Sequence, residues 1–204
     1  MNRTPKKSYL LLAGLVLSLS LTSSLAFSAD GKTLYEDKGC TGCHGEDAKT
    51  PLEKGYPKLA GQNGGYLLQQ LMDIKSGARK NGKIPDTMKP VIDELSEPEL
   101  KLLADYLAGL KWASQGTPPD AAPPGKKLYL TKSCVACHGK EGMKPIMKTY
   151  PFLAGQDRTY LLAQMKDIGS KARENGLSNS MQPVMHLVNK KEMDAIAKYL
   201  SLVK

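Results

Sequence analysis

Two copies of the five-residue pattern Cys-x-x-Cys-His constrain this chain of 204 residues more than any other feature. The first copy occupies residues 40–44 and the second occupies residues 134–138. Two thiols three positions apart can bond to the two vinyl groups on one side of a haem, and the adjacent imidazole can then bind the iron. We therefore predict two covalently bound haems c. The predicted attachment and proximal-ligand residues are Cys40, Cys43, His44, Cys134, Cys137 and His138.

Pairs of cysteines separated by two residues also occur in zinc sites and in redox dithiols. A structural zinc ribbon has its second cysteine pair about 15 to 20 residues after the first, whereas the second pair here begins 94 positions after the first. A redox dithiol has no need of the histidine that follows both pairs. Haem attachment therefore fits the pattern better than either alternative.

The amino terminus has the three regions of a secretory signal peptide. Three basic residues precede a short apolar stretch over 9–21, and the small residues of 26–28 offer a cleavage site before Ala29. Covalent haem attachment of this kind takes place outside the bacterial cytoplasmic membrane, where free thiols would otherwise tend to oxidise. An export signal therefore agrees with cysteines that are bonded to haem. We predict a signal peptide over 1–28 and a periplasmic protein. The alternative is an uncleaved membrane anchor, although Gly14 and several serines dilute the apolar run.

The charge balance bears on which partners the chain can bind. The sequence carries 29 basic and 20 acidic residues, but three basic residues lie in the predicted signal peptide, and haem propionates would add negative charge. Lysines are spread along both halves and export removes the chain from nucleic acid, so we predict no nucleic-acid binding. We expect lysines near the two motifs to steer an acidic redox partner. These lysines are Lys38, Lys49, Lys132, Lys140 and Lys144.

The repeat extends far beyond the two motifs and appears when the chain is compared with itself at a shift of 94 residues. Four segments recur in the second half with identical residues at most positions: 31–35, 56–62, 66–68 and 78–82. After a one-residue deletion the shift becomes 93, which aligns Met88 with Met181. The two halves are therefore duplicated domains.

A segment rich in proline and glycine, residues 116–125, separates the two halves. Its composition disfavours helices and strands, and its proline density is typical of a semi-rigid spacer. We predict an N-terminal domain over residues 29–115, a linker over 116–124 and a C-terminal domain over 125–204.

Both halves have the periodicity of α-helices. Apolar residues recur at helical spacing over 67–74 and again over 161–168. A closing helix follows in each half, and its start is indicated by a capping-box pattern, Ser96 with Glu99 and Asn189 with Glu192. No sustained alternation predicts a sheet. The predicted fold class is all-α, with each small domain wrapped around one haem that adds apolar volume to its core.

The repeat also selects candidates for the sixth iron ligand. Of the nine methionines, only Met88 and Met181 are aligned between the halves, and each lies two positions before a proline. We predict that these two methionines are the axial ligands. Methionines in helical patterns are expected to fill the core, while Met185 is the local rival to Met181. His186, which aligns with Asp93, is predicted to lie at the surface.

The chain resembles the dihaem cytochromes c4, which are tandems of class I cytochrome c domains. The resemblance covers essentially the whole mature chain. It is carried by the two haem motifs, the Tyr-Pro-x-Leu-Ala-Gly-Gln and Tyr-Leu-Leu segments, and the Met-x-Pro segments. It implies two haems with histidine and methionine ligands in separate domains, with their propionate edges facing each other.

The resemblance also implies roles for two prolines and two arginines. The carbonyls of Pro57 and Pro151 are expected to accept hydrogen bonds from the proximal imidazoles. Arg79 and Arg173 are expected to lie near the propionates. The deletion before Met181 departs from the repeat and affects the shape of the second ligand loop.

The resemblance implies a periplasmic electron carrier rather than an enzyme. We predict that its partners are redox proteins. The donor would be a quinol-oxidising complex or another protein, and the acceptor a terminal oxidase or another enzyme. A histidine and methionine pair tends to raise the haem potential, and a six-coordinate iron can pass electrons without binding a substrate.

Two alternative functions stay open. The first is a dihaem enzyme of the peroxidase or thiosulfate dehydrogenase type, which would need an open iron site or a cysteine ligand. All four cysteines are already assigned to haem attachment. The second is an electron-transfer subunit dedicated to one complex, which would stay bound at high salt where a shuttle would dissociate. Peripheral association with the membrane is compatible with either carrier.

Overall fold

The computed structural model describes residues 1, 30–112 and 123–203. Helices joined by loops make up the described ranges, which contain no strand. The predicted all-α class is therefore confirmed. The predicted signal peptide falls on residues outside the description apart from Met1, and so does the predicted linker up to residue 122.

The N-terminal domain closes with a long helix that packs on two earlier ones. Its α-helices are α1 (Gly31–Asp37), α2 (Thr41–His44), α3 (Gly64–Lys75), α4 (Lys89–Asp93) and α5 (Glu97–Gly109). A π-helical turn, Ile84–Met88, leads directly into α4. Helix α5 packs against both α1 and α3.

The C-terminal domain repeats this arrangement. Its α-helices are α6 (Pro123–Thr131), α7 (Cys134–His138), α8 (Arg158–Gly169), α9 (Gln182–Met185) and α10 (Lys190–Leu202). Two 3₁₀ turns, Lys140–Gly142 and Gly176–Met181, precede α8 and α9 respectively. Helix α10 packs against both α6 and α8, as α5 does against α1 and α3.

The last residues of the predicted linker are helical. Helix α6 begins at Pro123, so Pro123 and Pro124 belong to its first turn rather than to a spacer without secondary structure. Proline is tolerated there because the first amides of a helix have no intrahelical acceptor. The prediction that 116–124 avoids helix is therefore wrong at its carboxyl end.

Both closing helices begin with the predicted capping box. The amide of Ser96 donates to the Glu99 carboxylate at 2.7 Å. The amide of Asn189 donates to the Glu192 carboxylate at 2.9 Å, and the Glu192 amide donates back to the Asn189 side chain at 3.1 Å. These contacts satisfy amides that a helix terminus otherwise leaves unpaired.

Each domain has its own core, in which the first helix crosses the closing helix at close range. Tyr35 packs against Tyr106, and Tyr129 packs against Tyr199, with ring centroids 6.0 and 5.9 Å apart. The crossing requires glycine at the start of the first helix. A Cβ on Gly31 would overlap the carbonyl oxygen of a residue on α5, and Gly125 meets α10 in the same way.

We predict that Gly31→Ala destabilises the N-terminal domain by about 1–3 kcal/mol, because overpacking at this crossing displaces α1 from α5. Chemical denaturation followed by circular dichroism measures the effect. The control is Gly109→Ala, because a Cβ there meets no atom within 4 Å. Equal stability of the two variants would contradict this account of the crossing.

Candidate haem sites

The two attachment motifs form short helices at corresponding places in the two domains. Cys40 lies at the amino end of α2, and α7 spans the whole second motif. All four cysteines are partly buried, and none forms a disulfide. Burial raises the pKa of the Cys134 thiol to about 11, whereas a catalytic redox dithiol requires a lowered thiol pKa. The redox-dithiol alternative gains no support here.

Both motif histidines are buried, and a proline carbonyl orients each ring. His44 Nδ1 lies 3.0 Å from the carbonyl oxygen of Pro57, and His138 Nδ1 lies 3.3 Å from that of Pro151. Burial lowers the pKa of both imidazoles, against the opposing effect of these hydrogen bonds. Each ring is therefore neutral and donates from Nδ1, which leaves the Nε2 lone pair for another partner. The expected roles of both prolines are confirmed.

A cavity of about 700 Å³ extends through both domains and reaches both motif histidines. Leucines and isoleucines of α3, α5, α8 and α10 line much of its wall. Met88 and Met181 lie on this wall and are partly buried. Met165 and Met185 also line the cavity, but both are packed into the core of the second domain. The wall thus carries one motif histidine and one aligned methionine from each domain.

The two turns that end at the aligned methionines have different backbone conformations. The first is the π-helical turn Ile84–Met88, and the second is the 3₁₀ turn Gly176–Met181. The one-residue deletion falls in this region of the second domain. The two ligand loops therefore follow different paths to equivalent methionines. His186 follows α9 and is exposed, as predicted.

The chemistry of the cavity wall fits a covalently attached haem. Nε2 of His44 is buried without a hydrogen-bond partner in the described chain, which suits an atom that binds iron. Apolar side chains suit the porphyrin, and free thiols are the groups that form thioether bonds. Within residues 30–112 and 123–203, no three His, Cys, Asp or Glu side chains are grouped so that they could hold a metal ion. The zinc alternative therefore gains no support.

The part of the cavity wall that lies between the two domains, here called the inner wall, includes Arg79, Arg173, Tyr66 and Tyr160. Arg79 joins the two domains there. This side chain is buried. Its Nη2 donates to the Tyr160 hydroxyl and to Gln164 Oε1, both at 3.2 Å. Its Nη1 donates to Gln70 of its own domain at 3.1 Å. One guanidinium thus bonds to side chains of both domains.

Arg173 makes the corresponding contacts from the other side. Its Nη2 donates to the Tyr66 hydroxyl at 3.2 Å and to Gln70 Oε1 at 2.9 Å. Its Nη1 donates to Gln164 of its own domain at 2.8 Å. The two arginines are therefore related by an approximate two-fold symmetry, which follows from the duplication.

Amide and carboxylate side chains extend this symmetric contact. Asn81 Nδ2 donates to Asp167 Oδ2 at 2.6 Å, and Asn175 Nδ2 donates to Asp73 Oδ2 at 2.6 Å. The two halves of the contact differ at one point. Arg173 Nε donates to Asn175 Oδ1 at 3.1 Å, whereas Arg79 Nε and Asn81 Oδ1 are buried with no partner in the described chain.

Two glutamines pair with backbone groups of the opposite domain. Gln62 accepts from the amide of Phe152 at 2.7 Å and donates to the carbonyl of the same residue at 2.9 Å. Gln156 accepts from the amide of Lys58 at 2.8 Å and donates to its carbonyl at 2.9 Å. Each glutamine thus satisfies both polar backbone groups of one residue, which fixes the register between the domains.

Sequence reasoning placed Arg79 and Arg173 near the propionates only through the family resemblance, and it did not identify their partners. The missed residues lie in the repeated segments or next to them: Tyr66, Gln70, Asn81, Tyr160, Gln164 and Asn175. The signal was the recurrence of identical polar residues in both halves. A helix surface exposed to water has no need to repeat them.

The family model described as "Cytochrome c" matches this chain twice, over residues 28–111 and 122–204. Cytochrome c4 of Pseudomonas aeruginosa is 32% identical over 200 residues, with 93% of this chain and 96% of the relative covered. A thiosulfate dehydrogenase electron acceptor of Stutzerimonas stutzeri is 34% identical, with 90% of each chain covered. The crystal structure of reduced cytochrome c4 from Pseudomonas stutzeri superposes with a TM-score of 0.71 at 29% identity, covering 85% of this chain and 97% of that one.

We predict that Gln62→Ala lowers the free energy of unfolding by about 1–3 kcal/mol, since it removes the partners of the partly buried amide and carbonyl of Phe152. Chemical denaturation measures the loss. The matched control is Gln182→Ala, because Gln182 does not line the cavity and bonds only within its own domain, at 3.5 Å; it should change stability by less than about 0.5 kcal/mol. Similar losses in the two variants would argue against a stabilising contact between the domains.

Proposed function

This chain belongs to the cytochrome c family as a dihaem electron-transfer protein of the cytochrome c4 type, and we propose how its residues hold its two haems c. Cys40 and Cys43 form thioether bonds to the first haem, and Cys134 and Cys137 form them to the second. The observation that carries the proposal is the buried His44, whose Nδ1 is held by a carbonyl while Nε2 has no partner in the described chain.

The axial ligands in this proposal are one histidine and one methionine per domain. His44 and Met88 bind the first iron, and His138 and Met181 bind the second. Two observations support the methionines: both lie on the cavity wall that the histidines share, and they occupy equivalent positions before α4 and α9. Met185 is less suitable, because its side chain is buried in the hydrophobic core of the second domain.

The propionates are assigned to the inner wall between the domains. Arg79 Nε is a buried donor without an acceptor in the described chain, and a carboxylate would supply one. Burial would raise the pKa of the Tyr66 hydroxyl, yet the positive charges of Arg173 and Arg79 lower it on balance. The two guanidinium groups themselves, Arg79 and Arg173, make this place positive and favour anionic groups there.

The iron supplies one-electron chemistry when haem is bound. The chain keeps both imidazoles neutral, orients them through proline carbonyls, and surrounds the sites with apolar side chains. Such surroundings limit the access of water and of substrates to the iron. The inner wall between the domains belongs to the same cavity as both sites, which supports electron exchange within one chain.

We favour a carrier over an enzyme, because each domain supplies a methionine for the position that a catalytic iron keeps open. The similarity to a thiosulfate dehydrogenase electron acceptor favours one second candidate, a carrier dedicated to a single dehydrogenase. In both cases the partners are redox proteins. The donor and acceptor classes predicted from the sequence, a quinol-oxidising complex and a terminal oxidase, stay predictions.

The periplasm is the proposed location. The predicted signal peptide supports it, although that segment lies outside the described residues apart from Met1. Across the described ranges, the structure contains no helix that could span a membrane. Covalent haem attachment through Cys-x-x-Cys-His agrees with an exported protein.

We predict that Met88→Ala and Met181→Ala each open one iron and leave the other six-coordinate. Absorption spectra of the purified protein, with haem counted per chain, should show two covalent haems in both variants and half of the ferric methionine-to-iron charge-transfer band. The matched controls are Met72→Leu and Met193→Leu, which change methionines that do not line the cavity and should keep the full band. A variant with both native spectra would show that its methionine is wrongly assigned.

We predict that the purified protein exchanges electrons rapidly but does not turn over thiosulfate or peroxide in the steady state. Stopped-flow reduction and oxidation test the first part, and substrate consumption tests the second. Sustained turnover would establish an enzyme instead. Co-purification with one dehydrogenase in high salt would favour the dedicated carrier, since a shuttle docks weakly and loses its partner when charges are screened.

A further inference from the structure

Each motif histidine has a tyrosine ring as its neighbour. The rings of His44 and Tyr56 lie 6.1 Å apart, edge to face, at an angle of 67°. The rings of His138 and Tyr150 lie 6.0 Å apart at an angle of 37°. The two tyrosines are equivalent in the repeat, because each directly precedes the proline whose carbonyl faces the histidine. Both proposed proximal ligands therefore contact an aromatic side chain.

A lysine covers the first of these tyrosines. The ammonium of Lys83 lies 5.5 Å from the centroid of the Tyr56 ring, within the distance of about 6 Å at which a ring face attracts a cation. Lys83 is exposed, and it also lines the cavity that reaches His44. Within residues 30–112 and 123–203 its ammonium makes no ion pair. Its positive charge is therefore held at the cavity wall, over the ring that contacts His44.

The second domain has a leucine where the first has this lysine. Lys83 directly follows Asn81-Gly82 at the start of the first ligand loop, and Leu177 directly follows Asn175-Gly176 in the second. Leu177 is exposed and lines the cavity too. The replacement therefore removes a charge from the wall but leaves a side chain at the equivalent place.

The other cationic side chains of the wall do not distinguish the two haem sites in this way. Both arginines of the wall are repeated, and Lys54 aligns with Lys148. Lys58 has no basic counterpart, but its ammonium donates to the carbonyl of Gly155 in the contact between the domains, at 2.7 Å. Lys83 is thus the lysine of the wall that contacts the aromatic neighbour of one proposed proximal ligand.

We propose that Lys83, held over Tyr56, raises the reduction potential of the first haem, and that the second haem lacks this contribution because Leu177 replaces the lysine. Reduction adds one electron from a donor protein to the ferric iron, which becomes ferrous, and the step moves no proton. The positive charge of the iron site falls by one, so a cation nearby repels the ferrous form less than the ferric form. The inference rests on the proposed function, since it needs His44 as the ligand of the first iron.

The test is a spectroelectrochemical titration of the purified dihaem protein, which measures a reduction potential for each haem. The variant Lys83→Leu gives the first domain the residue of the second. At low ionic strength the equilibrium constant for reduction of the first haem should fall about threefold, which is about 28 mV at 59 mV per tenfold change for one electron. The effect is modest because water and salt screen an exposed charge. The second potential should stay the same.

Two further variants separate the contact with Tyr56 from the overall charge of the domain. Lys80→Leu removes the same charge three residues away, where the side chain is exposed and does not line the cavity. It should change the equilibrium constant by less than about 1.3-fold. Lys83→Arg keeps a cation that an aromatic face attracts, and it should keep the original potential. Equal shifts in Lys83→Leu and Lys80→Leu would overturn the inference.

Spectra show whether Lys83 acts on the potential or only on the shape of the ligand loop. Lys83→Leu should keep the full ferric methionine-to-iron band, and loss of half the band would show a structural role and overturn the inference. Proton NMR assigns each potential to a haem, because Met88→Ala should remove the signals of one methionine ligand only. A shift confined to the other haem would also contradict the role of Lys83.

The unmodified protein distinguishes failure of this inference from failure of the proposed function. It should show two reversible one-electron steps and two haems with methionine ligands. If either is missing, the proposed function itself fails. If both are present and Lys83→Leu shifts neither potential, the proposed function stands and only the role of Lys83 is wrong.

Discussion

Buried polar groups that must find partners hold the two domains in a single arrangement. Arg79 and Arg173 are both buried, and each donates hydrogen bonds to residues of the opposite domain. Removing such groups from water is costly unless their hydrogen bonds are made. Separation of the domains would break these bonds, whereas rotation would misalign them. The relative position of the two proposed haem sites is therefore set by polar chemistry as well as by the hydrophobic cores.

Duplication explains how such an interface could form. Two copies of one surface can pair around an approximate two-fold axis, so that each contact occurs twice. Gln62 and Gln156 make one such repeated contact, because each bonds to backbone groups of the other domain. A contact to the backbone allows the side chains at the two equivalent positions, Lys58 and Phe152, to differ. The symmetry is incomplete at Arg79, where one donor lacks a protein partner in the described ranges. In the proposed assignment a haem propionate would accept a hydrogen bond from that donor.

The outer surfaces have diverged where the inner surface has not. Interface residues such as Tyr66 and Tyr160 are identical in the two halves, because a change on one side would leave a buried group unpaired. Exposed positions such as Glu53 and Met147 have no such constraint. The result is a carrier with a matched internal contact and two different ends.

The sequence by itself determined the features that depend on local chemistry and on the repeat. These are the two Cys-x-x-Cys-His motifs, the all-α class, the capping boxes and the alignment of Met88 with Met181, on which their proposed ligand role rests. Proline carbonyls at 57 and 151 were anticipated only through the family resemblance. Only the tertiary structure decided which side chains meet between the domains, because their hydrogen bonds join residues 81 to 107 positions apart. Periodicity over a few turns cannot report such contacts. The proline content of the linker also did not reveal that a helix begins at Pro123. A proline fits a helix when it lies in the first turn, so its position in the helix matters more than the number of prolines nearby.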